Sequence, residues 1–125
     1  MSADRTVLLV EDEALVAALA ADALDELGYR AIEATTAKAA LALAADGNAF
    51  AFAVIDIGLP DRRGDALALE LRKLRADLPV IIATGYDQAH LDEGLRKHPR
   101  TFVLNKPYDI AQLQEAIRRI AAPAV

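Results

Sequence analysis

Four short, nearly unbroken apolar runs and a weaker fifth are each followed by a stretch whose apolar residues recur at helical spacing, and this repetition leaves few folds open. The runs are Thr6–Val10, Tyr29–Ala34 (the weaker one), Ala51–Ile55, Pro79–Ala83 and Thr101–Leu104. A short apolar segment without alternation suits a strand buried on both faces, the habit of a parallel sheet covered by helices. Strands alternating with helices pair in parallel through right-handed crossovers, so the expected fold is α/β, a doubly wound open sheet of five βα units. The length, 125 residues, fits a single domain spanning 1–125 with a real core.

The helical stretches carry their own punctuation. The first is read from Ala14 to Leu27, with Val16, Leu19, Ala20, Ala23, Leu24 and Leu27 as its apolar face and Gly28 as its stop. Thr35 or Thr36 caps the second, which runs to about Ala45 before Asp46-Gly47-Asn48 breaks it. A glycine- and proline-containing loop from Ile57 to Gly64 follows, and Asp65 is read as the cap of a third helix carrying Ala66, Leu67, Leu71 and Leu74. The fourth, Asp87 to Lys97, has Leu91 and Leu95 but holds Gly94, which costs about 1 kcal/mol relative to alanine, so it is expected to be weak. Asp109 caps the last, carrying Ile110, Leu113, Ile117 and Ile120.

Several classes of function are disfavoured. A net charge of −5 repels a phosphate backbone, so direct nucleic-acid binding is not expected. No leader or long apolar stretch is visible, which points to a soluble, cytoplasmic protein without a membrane partner. There is no cysteine, and His90 and His98 stand at no metal-motif spacing, so disulfides, thiolate chemistry and a zinc site are not expected.

In open parallel sheets chemistry collects beyond the carboxyl ends of the strands. Here those ends present Glu11 and Asp12, then Asp56, Thr84 and Lys106. Taken singly, Asp56 reads as an ordinary loop-opening aspartate and Glu11-Asp12-Glu13 as an acidic helix start; the convergence is what singles them out. Three neighbouring carboxylates repel, Lys106 offsets one charge, and the all-oxygen remainder suits a hard divalent cation, Mg²⁺ in preference to a caged Ca²⁺. One carboxylate can then act as a nucleophile forming an aspartyl phosphate.

In these residues the chain resembles the receiver domains of two-component response regulators. The resemblance runs from Val7 to about Ile120 and rests on Glu11-Asp12, on Asp56 with Pro60 and Gly64 downstream, on Thr84-Gly85 and on Lys106-Pro107. It implies a flavodoxin-like strand order of 2-1-3-4-5. It implies that Asp56 accepts phosphate from the phosphohistidine of a sensor histidine kinase or phosphotransfer protein. Asp12, Asp56 and the Gly58 carbonyl would bind Mg²⁺, with Glu11 helping through water, while Lys106 and Thr84 contact the phosphoryl group. The output would be a changed surface on the fourth helix, fifth strand and fifth helix, read by an unknown downstream protein.

One position departs from the family. The aromatic switch expected three residues before the lysine is Val103, with Phe102 on the opposite face of the strand. The run Ala83-Thr84-Gly85-Tyr86 is instead similar to an Ala-Thr-Gly-Tyr subgroup of stand-alone receivers, in which Tyr86 would take over the switch. The chain's end after the fifth helix fits that stand-alone reading. A fragment of a hybrid kinase or larger regulator, and a receiver that binds protein without phosphorylation, are the alternatives. A dehalogenase-like phosphatase is disfavoured because Gly58 stands where its second aspartate belongs.

Overall fold

The computed structural model describes residues 5–85, 91 and 93–121. Its elements follow one another as β1 (Thr6–Val10), α1 (Ala14–Glu26), β2 (Arg30–Ala34), α2 (Ala37–Ala45), β3 (Phe52–Asp56), α3 (Gly64–Leu74), β4 (Val80–Thr84), α4 (Glu93–Lys97), β5 (Thr101–Asn105) and α5 (Ile110–Ala121). The five strands form one parallel sheet in the order β2-β1-β3-β4-β5. This is the expected doubly wound, flavodoxin-like arrangement.

The period of two along each strand builds a core on either side of the sheet. Leu8 and Val10, Ala53 and Ile55, and Val80 and Ile82 face α2, α3 and α4. Val7 and Leu9, Phe52 and Val54, and Ile81 face α1 and α5. Each of the larger side chains contributes about 1.5–3 kcal/mol by leaving water. Every residue of β3 and β4 is buried, which explains why those two segments lack polar alternation. Among the described residues no helix is long and apolar enough to cross a membrane.

The helix ends follow local chemistry. Of the two candidate threonines it is Thr36 that caps α2, its hydroxyl accepting the Ala39 N–H at 3.0 Å. Asp109 caps α5 reciprocally: its carboxylate takes the Gln112 N–H at 2.8 Å, and its own N–H reaches the Gln112 side chain at 2.9 Å. Gly28 and Gly47, with φ of 90° and 85°, occupy the left-handed turns that end α1 and α2.

Three expectations are corrected. The buried stripe of α1 is Ala17, Ala20 and Leu24, whereas Leu19 is 62% exposed. Small alanines let the helix lie close to the sheet, and a residue one step along the helix turns away by about 100°. Asp65 does not cap α3: the helix starts two residues earlier than that cap would set, at Gly64, with Arg63 at the cap, and Asp65 sits buried in its first turn, bonded to Arg63 and to the Ala66 N–H. The earlier start follows from the Gly64 N–H bonding the Ile57 carbonyl at 2.9 Å, which closes the loop at that point. Leu74, read as core, is 58% exposed because α3 ends there and the chain turns away. The fourth helix is described at Glu93–Lys97, with Leu95 buried, and Asp87 and its capping role lie outside the described residues.

The corner where α3, β4, α4 and β5 meet is organised by Arg72. Its guanidinium donates to the carbonyls of Leu78 (3.0 and 3.1 Å) and Arg100 (3.0 Å) and to the Thr101 hydroxyl (2.7 Å). All three acceptors are uncharged, and burial lowers the Arg72 pKa to about 10. Arg72→Met should therefore cost about 1–3 kcal/mol in urea unfolding, since the Leu78 carbonyl loses both of its guanidinium donors while the Arg100 carbonyl keeps the Val80 N–H, and Arg72→Lys should recover little because an ammonium cannot span the fork. Beside it, His98 Nδ1 accepts the Arg100 N–H at 3.0 Å. Burial, with help from Arg72 and Arg100, holds this imidazole below the ordinary value of 6.5. A base depressed in the folded state stabilises above its unfolded pKa and loses that contribution as pH falls through the folded one. Stability should thus fall on acidification from pH 7 through that window, and His98→Asn should flatten this limb.

Candidate functional site

The carboxyl ends of β1, β3, β4 and β5 meet at one edge of the sheet, the first three delivered by buried strands and the last by a half-buried one. Glu11 follows β1 with its N–H bonded to the Ala34 carbonyl at 3.0 Å, which turns its side chain inward; it is 5% exposed. Asp12, the next residue, stays at the surface. Asp56 ends the central strand β3 and is buried, in register with Ala83 of β4. Thr84 ends β4, fully buried and paired with Asn105. Lys106 follows β5, its N–H bonded to the Thr84 carbonyl at 2.9 Å, and precedes a cis peptide bond to Pro107.

The central contact is that of the Lys106 ammonium. Its Nζ lies 3.0 Å from Asp56 Oδ1 and 3.1 Å from Glu11 Oε1, bridging two carboxylates that are otherwise buried together. Burial, with the Asp56 charge, pushes the Glu11 carboxyl above its usual range, against the pull of the Glu13 N–H and Lys106. Burial works against the Lys106 charge too, but the two carboxylates outweigh it, so the ammonium is held above its ordinary value. Oxygens of Glu11, Asp12 and Asp56 all lie within 4.8 Å of one another. Three carboxylates against one ammonium leave a formal charge of −2, and the donor set is entirely oxygen; both fit a hard divalent cation.

Glycines shape the approach. A Cβ on Gly58 would stand 3.7 Å from Asp56 Oδ2, so the loop backbone passes directly by the carboxylate. A Cβ on Gly64 would lie 2.2 Å from the Asp56 carbonyl oxygen, so only glycine permits α3 to start against the end of β3.

Every site residue read from the sequence and described here is at this edge or beside it. Val103 is half-buried on β5, opposite Ile82 and packed on the α2–α3–α4 side, whereas Phe102 packs on the α1–α5 side. Tyr86, the proposed substitute switch, lies outside the described residues. Two neighbours were not picked out from the sequence. Tyr108 packs between Lys106 and the α1–α5 core, its phenol pushed up by burial and then by Glu11 and Asp56; its place two residues after the lysine was a usable signal. Asp61 reaches from the loop to the start of α2, a contact across 23 and 24 positions that no local pattern announces.

A family model, the response regulator receiver domain, matches residues 7–118. The chain is 31% identical over 121 residues to the sensor kinase CckA of Brucella abortus, covering 96% of this chain and 13% of that protein. It is 30% identical to the photosynthetic apparatus regulatory protein RegA of Rhodobacter capsulatus, covering 94% of this chain and 63% of the relative. The chain thus spans less than two thirds of either relative. Among solved structures, a CheY-like receiver domain from Methylobacillus flagellatus superposes with a TM-score of 0.81 at 28% identity, covering 93% of this chain and 98% of that one. With the acidic cluster, the bridging lysine and this match across nearly its whole length, the chain belongs to the response regulator receiver domain family.

Proposed function

We propose that this receiver is phosphorylated on Asp56 by a sensor histidine kinase or phosphotransfer protein of the cytoplasm, with Mg²⁺ held by Asp12, Asp56 and the Gly58 carbonyl and assisted by Glu11. The observation that carries the reading is the Lys106 ammonium between Asp56 and Glu11, with Asp12 alongside. A cation bound there would neutralise charge on the transferring phosphoryl oxygens. With Oδ1 engaged by Lys106, Asp56 Oδ2 attacks phosphorus. The P–N bond breaks and its electron pair leaves on the donor's imidazole. Lys106 is already in place to follow the charge onto the phosphoryl group, and preorganised cations of this kind stabilise the transition state without reorganisation.

Surfaces on either side of the site suit the two partners. A groove of about 460 Å³ between α1 and the β5–α5 loop, lined by Val16, Leu19, Pro107, Tyr108 and Ile110, runs up to Lys106 and suits the donor. On the other side, a hollow of about 440 Å³ along β5 and α5, bordered by Phe102, Val103, Asn105 and Gln112, suits a downstream protein. Thr84 is the residue that carries the change from phosphate to this α4–β5–α5 surface, and Val103, two residues before Thr84's partner Asn105 on β5, moves without an aromatic swing. Tyr86 remains our candidate for the missing ring.

Incubation with phosphoramidate and Mg²⁺ should give an acid-stable, base-labile acyl phosphate visible by intact mass. Asp56→Asn should abolish it; label surviving in that variant would place the nucleophile elsewhere. Lys106→Ala should lower apo stability by about 2 kcal/mol, between the values for exposed and buried pairs, because Glu11 and Asp56 lose their shared counter-charge. The same variant should keep a Mg²⁺-dependent rise in Tm yet lose most of the phosphorylation-driven amide shifts along β5 and α5. Wild-type-sized shifts in Lys106→Ala would exclude the lysine as the link.

A further inference from the structure

The loop between β3 and α3 carries Gly58 past the Asp56 carboxylate, so whatever holds this loop determines where the Gly58 carbonyl points. Its base is fixed: Ile57 and Leu59 are buried, and the Ile57 carbonyl accepts the Gly64 N–H at 2.9 Å. Its tip is exposed, with Arg63 bonded to Asp65 at the helix end and Asp61 tied to another βα unit. The two oxygens of that carboxylate accept the N–H groups of Ala37 (2.9 Å) and Lys38 (3.0 Å), the opening residues of α2. These backbone donors hold the Asp61 carboxyl below its usual range.

The arrangement divides the start of α2 between two carboxyl or hydroxyl groups of different origin. Thr36, the helix's own cap, satisfies Ala39 alone. The two preceding donors are given to a residue of the site loop. The same corner also touches the other half of the site, since the Ala34 carbonyl, just before α2, accepts the Glu11 N–H at 3.0 Å. The β2–α2 corner therefore brackets both Glu11 and the loop bearing Gly58. A carboxylate that served only as a helix cap would ordinarily come from the residue preceding the helix. Asp61 comes instead from across the sheet edge, and its exposure shows that burial does not bring it there.

We propose that Asp61 is a positioning residue for the cation site: by latching the β3–α3 loop to the first turn of α2, it fixes the Gly58 carbonyl relative to Glu11, Asp12 and Asp56. This deepens the phosphoacceptor reading above and rests on it. Groups that orient a metal ligand without touching the metal commonly alter affinity by an order of magnitude or more.

The test uses Asp61→Ala, Asp61→Asn and Thr36→Ala, each titrated with Mg²⁺ while the Gly58 amide is followed by NMR, with hydrogen exchange of residues 57–63 measured in parallel. Thr36→Ala weakens the same helix start without touching the loop. Asp61→Ala should raise the half-saturating Mg²⁺ concentration roughly tenfold and speed exchange in the loop, Asp61→Asn should fall between it and wild type, and Thr36→Ala should stay within about twofold. Unchanged Mg²⁺ affinity in Asp61→Ala overturns the proposal while leaving the cation site standing. Equal weakening in Thr36→Ala overturns it too, since helix stability would then be the cause. A wild-type protein that gives no Mg²⁺ response overturns the cation-site reading itself, and the positioning role with it.

Discussion

Two carboxylates sharing one ammonium is the constraint around which this molecule is built. At an effective dielectric near 20, unit charges about 4 Å apart interact by about 4 kcal/mol, so Glu11 and Asp56 could not be buried side by side without an opposing charge. Lys106 supplies it at 3.0 and 3.1 Å. The three groups arrive from β1, β3 and β5, which are not all neighbours in the sheet, so the ion cluster holds only if the strands end at one level. The unbroken apolar strands and the two-sided core set that level. Packing and electrostatics thus depend on each other: the core brings like charges together, and the lysine makes their proximity tolerable.

The cluster remains short of one counter-ion's worth of positive charge, and this imbalance is its chemical potential for work. A fully neutralised site would be a structural ion pair. One that retains net negative charge, faces an exposed loop and has Asp12 at its rim is poised to take a cation and, with it, an anionic group. The glycines serve the same end by removing bulk: at Gly58 the backbone approaches the carboxylate, and at Gly64 the start of α3 is pressed against the carbonyl of Asp56 itself.

Much of this was legible in the chain because buried parallel strands write themselves as apolar runs, and the residue that ends each run is where polar chemistry begins. Glu11, Asp56, Thr84 and Lys106 could be read on that basis without knowing how the helices pack. The features that escaped depend on tertiary position. On α1 the sequence reading found the buried Ala20 and Leu24 but missed Ala17, because hydrophobicity alone favoured the larger, exposed Leu19. Asp65 sits one turn-position inside α3 because a bond between Ile57 and Gly64 sets the helix start. Asp61 was invisible because its partners lie in another βα unit.

The position of β5 at the edge of the sheet gives the molecule a mechanical asymmetry. Asp56 stands on β3, which is hydrogen-bonded on both sides, to β1 and to β4, so lateral motion of this carboxylate would strain two ladders at once. Lys106 hangs from β5, which is bonded to β4 alone and whose residues are mostly half-buried, unlike those of its neighbour. On the phosphoacceptor reading proposed above, charge arriving at the anvil of the sheet would find its compliant member on the outside, and displacement would be funnelled towards a single flank of the domain, whichever side chains happen to line it.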